Sequence, residues 1–198
     1  MALRLVLASE SPRRKALLEA VGIRPVVVPS HAAEAVKEEG LEPHQLVRLL
    51  ARRKIGKVAE IMPDELVLGA DTIVYIDGEV LGKPESPEDA RRMLQKIAGR
   101  THVVYTGVAL WDPGRKRVLD DFDKTEVTMC PLTEEEIAWY VSTGEPMDKA
   151  GSYALQGIGG MFVERVNGDF SSVIGLPLPK VYRLLRLAGV RLEELLTV

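Results

Sequence analysis

A chain of 198 residues, 46% hydrophobic and 28% charged, can bury a core of its own and has the balance of an ordinary globular domain. Its formal charge of −3 gives no general polyanion-binding signature, so no nucleic-acid polymer is expected and any phosphate recognition must be local. A single cysteine, Cys130, excludes an internal disulfide or a thiolate metal cage.

No apolar run approaches the ~20 residues that span a bilayer, and the start lacks the long apolar core of a leader. A cytoplasmic protein without membrane contact is expected. Leu3 to Ala8 reads as a buried first strand. Ser11 then suits a helix cap and Pro12 the first helical position, with Gly22 as the stop. Val26 to Val28 is a second strand, and a long helix runs from about Pro43 to Met62. Leu66 to Ile76 and Glu79 to Leu81 flank Asp77-Gly78, a two-residue hairpin signal. Ser86-Pro87-Glu88-Asp89 opens a helix that stops near Gly99. Thr101 to Trp111 and Arg117 to Met129 are long strands around Asp112-Pro113-Gly114, and Thr133 caps a helix to about Thr143. A glycine-rich loop, Gly151 to Gly160, leads to a strand from Met161 to Val166 and a last helix, Leu178 to Leu187. Early alternation followed by an antiparallel pair predicts an α/β fold with a mixed, twisted sheet flanked by helices.

Several residues violate the local rules. Arg13 and Arg14 occupy a helix's first turn, where cations oppose the dipole and a bound anion would reverse the penalty. Their bland reading is a solvated helix start paired to Glu10 or Glu19. Lys54 falls on the apolar face formed by Val47, Leu50, Ala51, Ile55 and Val58. It either snorkels outward or reaches a phosphate or carboxylate. Asp71 interrupts the apolar run Leu66 to Val74; such a carboxylate holds a hard metal, acts as a base, or caps a bulge. Glu34 could add a second carboxylate. Lys83 and Lys149 sit beside glycines, where backbone can approach a ligand, although each alone fits an ordinary turn. Amides are scarce, Asn167, Gln45, Gln95 and Gln156 being all there are, which draws notice to Gln156. No Walker, dinucleotide, zinc-deaminase or serine-hydrolase pattern occurs.

Taken in order, Leu7-Ala8-Ser9-Glu10-Ser11-Pro12-Arg13-Arg14, Gly69-Ala70-Asp71-Thr72, Gly82-Lys83-Pro84, Asp148-Lys149-Ala150-Gly151, Tyr153-Ala154-Leu155-Gln156-Gly157 and Val173-Ile174-Gly175-Leu176-Pro177 resemble the Maf family of nucleotide pyrophosphatases nearly end to end. The resemblance implies one domain over 1–198, two-lobed around a central cleft and similar to inosine triphosphate pyrophosphatases. It makes Asp71 the catalytic carboxylate and, with Glu34, the holder of a divalent cation, Mg²⁺, Mn²⁺ or Co²⁺. Arg13, Thr72 and Gln156 fall on the positions of substrate choice, in the combination of the dTTP/UTP subgroup. Ser9, Arg14, Lys54, Lys83 and Lys149 fit its substrate cradle. Ala33 stands where a second acid often precedes Glu34. The expected partner is a nucleoside triphosphate; homodimerisation is implied by the family and is not visible in the residues. Two rival readings are a nucleotide-binding regulator of septum formation and a broader house-cleaning pyrophosphatase.

Overall fold

The computed structural model describes residues 3–30 and 40–196. Caps carried by the sequence set most helix boundaries. Strand β1 (Leu5–Leu7) leads to α1 (Pro12–Ala20), whose Ser11 cap accepts from the Arg14 N–H at 3.5 Å. α1 closes at Gly22, φ +83°, which lets the Ile23 N–H return to the Leu18 carbonyl at 2.9 Å. After β2 (Val26–Val27), α2 (Pro43–Ile61) opens on a reciprocal cap between Glu42 and Gln45. β3 (Leu66–Ile76) turns through Asp77 and Gly78, both at positive φ, into β4 (Glu79–Leu81), as the Asp-Gly pair predicts. α3 (Pro87–Ile97) is capped by Ser86, and α4 (Glu134–Ser142) by the Thr133–Glu136 box that follows the long strands β5 (Thr101–Asp112) and β6 (Arg117–Met129). Beyond lie β7 (Val163–Asn167), α5 (Phe170–Ile174) and α6 (Leu178–Leu187).

Strand β1 is shorter than the expected Leu3 to Ala8, and the start of β7 and the presence of α5 also depart from expectation. β7 begins at Val163, because Met161 and Phe162 complete a 3-10 turn over Ile158–Phe162. α5 was not anticipated: five residues are too few to show a helical period, and its start is held by the Asp169 carboxylate, which accepts the Ser171 N–H at 2.8 Å.

The strands form one seven-stranded mixed sheet in the order β2-β1-β3-β5-β6-β7, with β4 also on β3. β1 runs parallel to β2 and β3, whereas β4 and β7 are antiparallel to their neighbours β3 and β6. β1 pairs with β3 over Leu66–Leu68 and β4 pairs over Val74–Ile76, so neither strand covers Gly69 to Ile73.

The chain divides into two compact units. The first comprises Met1–Asp71, Thr106–Asp123 and Gly175–Val198, and the second Thr72–Tyr105 and Lys124–Ile174. In the first unit Val6, Ala8, Ala51, Ile55 and Val67 build a core between α2 and the sheet. In the second, α3 and α4 contribute Leu94, Ile97 and Ile137 to a core with Val74, Leu81 and Val104. A fully buried side chain such as Ile55 or Leu94 contributes about 2 kcal/mol of burial free energy. Among the described residues no helix is long and apolar enough to cross a membrane.

Candidate functional site

Two glycines bring α2 onto the sheet. A methyl group on Gly69 of β3 would stand 2.7 Å from the Ile55 side chain and 3.3 Å from the Ala51 carbonyl oxygen; on Gly107 of β5 it would stand 2.2 Å from the Val47 carbonyl oxygen. Only hydrogen fits at either position, so the helix backbone lies closer to the strands than any side chain would permit. This seating places Lys54 against β3. Its Nζ donates to Asp71 Oδ1 at 2.6 Å, two residues beyond Gly69 on the same face of the strand. Lys54 is 6% and Asp71 8% exposed, so the lysine points inward to the carboxylate and does not snorkel to solvent. Each charge is desolvated, and the pair offsets a cost that either would carry alone.

Beyond the C-terminal end of β1, the side on which open α/β sheets gather ligands, Ser9 meets Arg14. Ser9 Oγ accepts from the Ser11 N–H at 3.2 Å and from Arg14 Nη1 at 3.3 Å, while Arg14 Nε donates to the Gly175 carbonyl at 2.7 Å. Arg14 is 9% exposed. Its guanidinium is therefore built into the fold and does not pair with Glu10 or Glu19 at the surface; Glu19 pairs instead with Lys15 at 3.5 Å. Arg13 is half-buried in the same first turn.

The second unit begins at Thr72. Because strand side chains alternate, Thr72 shares a face with Val74 and not with Asp71. Val74 packs against Gly151, where a methyl group would stand 2.6 Å from its Cγ2. Gly151 also donates its N–H to the Gly82 carbonyl at 3.0 Å, which joins the Lys149 segment to the Lys83 segment. Lys149 Nζ donates to the Glu145 carbonyl at 3.0 Å and pairs with Asp148. Lys83 and Gln156 are exposed, Gln156 on a loop whose backbone is tied down on both sides. Tyr140 Oη accepts the Ala154 N–H at 3.2 Å, and the Glu145 carboxylate accepts the N–H groups of Ile158 and Gly159, each at 2.9 Å.

Behind this loop His102, 1% exposed, joins its Nε2 to Tyr153 Oη at 2.8 Å. Burial pushes the imidazole down to about 4 and raises the Tyr153 hydroxyl. Burial, and then the neighbouring Glu145 carboxylate, raises the Tyr140 hydroxyl as well.

The structure thus brings Ser9 to Arg14 and Lys54 to Asp71, and ties the Lys83 and Lys149 segments together. Glu34 lies outside the described residues. Among those described, no three of His, Cys, Asp and Glu converge as a metal cage. The sequence alone gives Gly107, Tyr140 and Glu145 no role. A glycine inside a strand is a signal of close approach, but the partners of Glu145 lie 13 and 14 residues further on and leave no local trace.

A family model described as Maf-like protein matches residues 4–188. A dTTP/UTP pyrophosphatase of Thermus thermophilus is 50% identical over 189 residues, covering 94% of this chain and 96% of the relative. Proteins of the same description from Anaeromyxobacter and Bacillus pumilus are 49% and 45% identical, covering 96% and 94% of this chain and 91% and 97% of their own lengths.

Proposed function

The chain belongs to the Maf-like family, and from that membership and the buried Asp71–Lys54 pair we propose that it hydrolyses dTTP and UTP to the monophosphate and pyrophosphate. Water attacks the α-phosphorus, the α–β anhydride bond breaks, and pyrophosphate leaves. The observation that carries this reading is a carboxylate held in a strand otherwise built to be buried, matched to one inward lysine.

Asp71 takes the proton of the attacking water, and Lys54 fixes the orientation of its carboxylate. Arg14, itself fixed by Ser9 and Gly175, and the lysines Lys83 and Lys149 neutralise the triphosphate, the main electrostatic task of the reaction. Gln156 offers an amide with both donor and acceptor to the imide edge of uracil or thymine, and Thr72 and Arg13 complete the choice of base. One carboxylate beside a polyphosphate is a usual donor set for Mg²⁺, with water and phosphate oxygens filling its shell, and Asp71 with Glu34 would hold such an ion. A bound divalent cation would screen phosphate charge and acidify the attacking water. The cytoplasm is the setting we assign, on the single half-buried cysteine Cys130. Assembly as a homodimer rests on the family resemblance alone, and sedimentation of the purified protein tests it.

The test is pyrophosphate release from dTTP, UTP, CTP, 5-methyl-UTP and 7-methyl-GTP with Mg²⁺, Mn²⁺ and Co²⁺. We expect dTTP and UTP to lead the panel, and Asp71→Asn to lower kcat by about 10²-fold or more with the fold retained. Near-normal turnover by Asp71→Asn would remove Asp71 from the chemistry, and equal rates across the panel would leave a broad house-cleaning enzyme.

A further inference from the structure

We propose that the Glu145 carboxylate is a positioning residue that holds the 154–160 loop in its base-selecting shape. The inference rests on the reading of this loop as the element that chooses the nucleobase. The loop has no regular ladder of its own before the 3-10 turn at Ile158, so its backbone must be fixed from outside. Glu145 does this with both oxygens: Oε1 accepts from Ile158 N–H and Oε2 from Gly159 N–H. Charge-assisted bonds to two successive amides fix a loop's direction as well as its place.

The glycines of the loop are shaped around that clamp. Gly157 sits at φ +112°, and a methyl group there would stand 1.9 Å from Glu145 Oε1. At Gly159 a methyl group would stand 2.4 Å from Tyr140 Oη, and at Gly160 the same distance from the Leu155 carbonyl oxygen. Tyr140 holds the near end of the loop, accepting from Ala154 N–H. Gln156 stands between these anchors, immediately before Gly157. Glu145 touches the phosphate side through different atoms: its main-chain carbonyl accepts from Lys149 Nζ. A change confined to the carboxylate therefore separates base choice from phosphate grip.

Glu145→Gln makes that change. The amide keeps the volume and one acceptor but turns an NH₂ donor towards one of two N–H donors, leaving that group unpaired. The readout is the UTP-to-CTP ratio of kcat/KM, alongside inhibition by inorganic tripolyphosphate, which has no base. We expect the ratio to fall about tenfold in Glu145→Gln, the loss typical of a misplaced hydrogen-bonding group, with tripolyphosphate inhibition unchanged. Amide hydrogen exchange should speed up at Ile158 and Gly159. An unchanged ratio with tripolyphosphate inhibition also unchanged overturns the proposal, as does equal loss of both. Tyr140→Phe, which keeps the ring and removes the hydroxyl, should lower the ratio in the same direction by a smaller factor; it decides the matter should Glu145→Gln fail to fold, and an unchanged ratio there counts against the clamp. Gln156→Ala tests the underlying reading separately. A ratio retained in Gln156→Ala but lost in Glu145→Gln leaves the clamp standing and moves base choice to another residue of the loop.

Discussion

Removing the Lys54 ammonium should cost more than an ordinary surface substitution, and the structure gives the size. The side chains of Lys54 and Asp71 are 7% and 11% exposed and their charged atoms are 2.6 Å apart. At an effective dielectric constant of about 20 the attraction is roughly 6 kcal/mol before desolvation is subtracted. Deleting one partner of a buried pair typically costs about 3–5 kcal/mol, because the other charge is left uncompensated. The slight exposure of both groups argues for the lower end, so Lys54→Met should lose about 3 kcal/mol in urea unfolding, read from the midpoint with an unchanged slope. Asp71→Asn removes the opposite charge, and the double variant Lys54→Met/Asp71→Asn removes both charges of the pair. The double variant should therefore lie within about 1 kcal/mol of the parent, a coupling of at least 2 kcal/mol. Strictly additive losses, or a Lys54→Met variant within about 0.5 kcal/mol of the parent, would refute the argument from buried charge.

Gly107→Ala should unseat α2 from β5, since its methyl group has no room beside the Val47 carbonyl. A loss of about 2 kcal/mol in unfolding and a fall in kcat larger than any change in KM are expected, because the displaced helix carries Lys54. Stability should also depend on pH through His102. Its folded value, about 4, lies below the ordinary 6.5, so the unfolded chain binds the extra proton. The contribution is fully present above pH 6.5 and is lost as pH falls towards 4, with a slope of up to about 1.4 kcal/mol per unit. Urea unfolding across that window measures it, and His102→Gln should flatten the slope.

Much of the fold was legible because its signals are local. Ser11, Ser86 and Thr133 each cap the helix they precede, and Asp77-Gly78 makes the turn its residues predict. Lys54 and Asp71 could be marked separately, one as a charge on an apolar helical face and the other as a charge in an apolar strand. That they satisfy one another across 17 residues needed the packing of α2 on Gly69. Arg14 lay further out of reach, since its acceptor, the Gly175 carbonyl, is 161 residues away and any residue could supply it. The turns between Glu145 and Phe162 follow no period, and their order comes from Tyr140 and Glu145 instead of from propensity.

The alternation along β3 sets a limit of another kind on how this protein can vary. Gly69 and Asp71 share the face that meets α2, and Val74 occupies the face that meets Gly151, with Thr72 between them in register with Val74. One residue added or lost between Gly69 and Val74 would turn every later side chain over. The carboxylate would leave its lysine, or Val74 would leave its glycine. Over these few positions the chain can exchange side chains at some cost, but insertions and deletions should be absent from any lineage that keeps the activity.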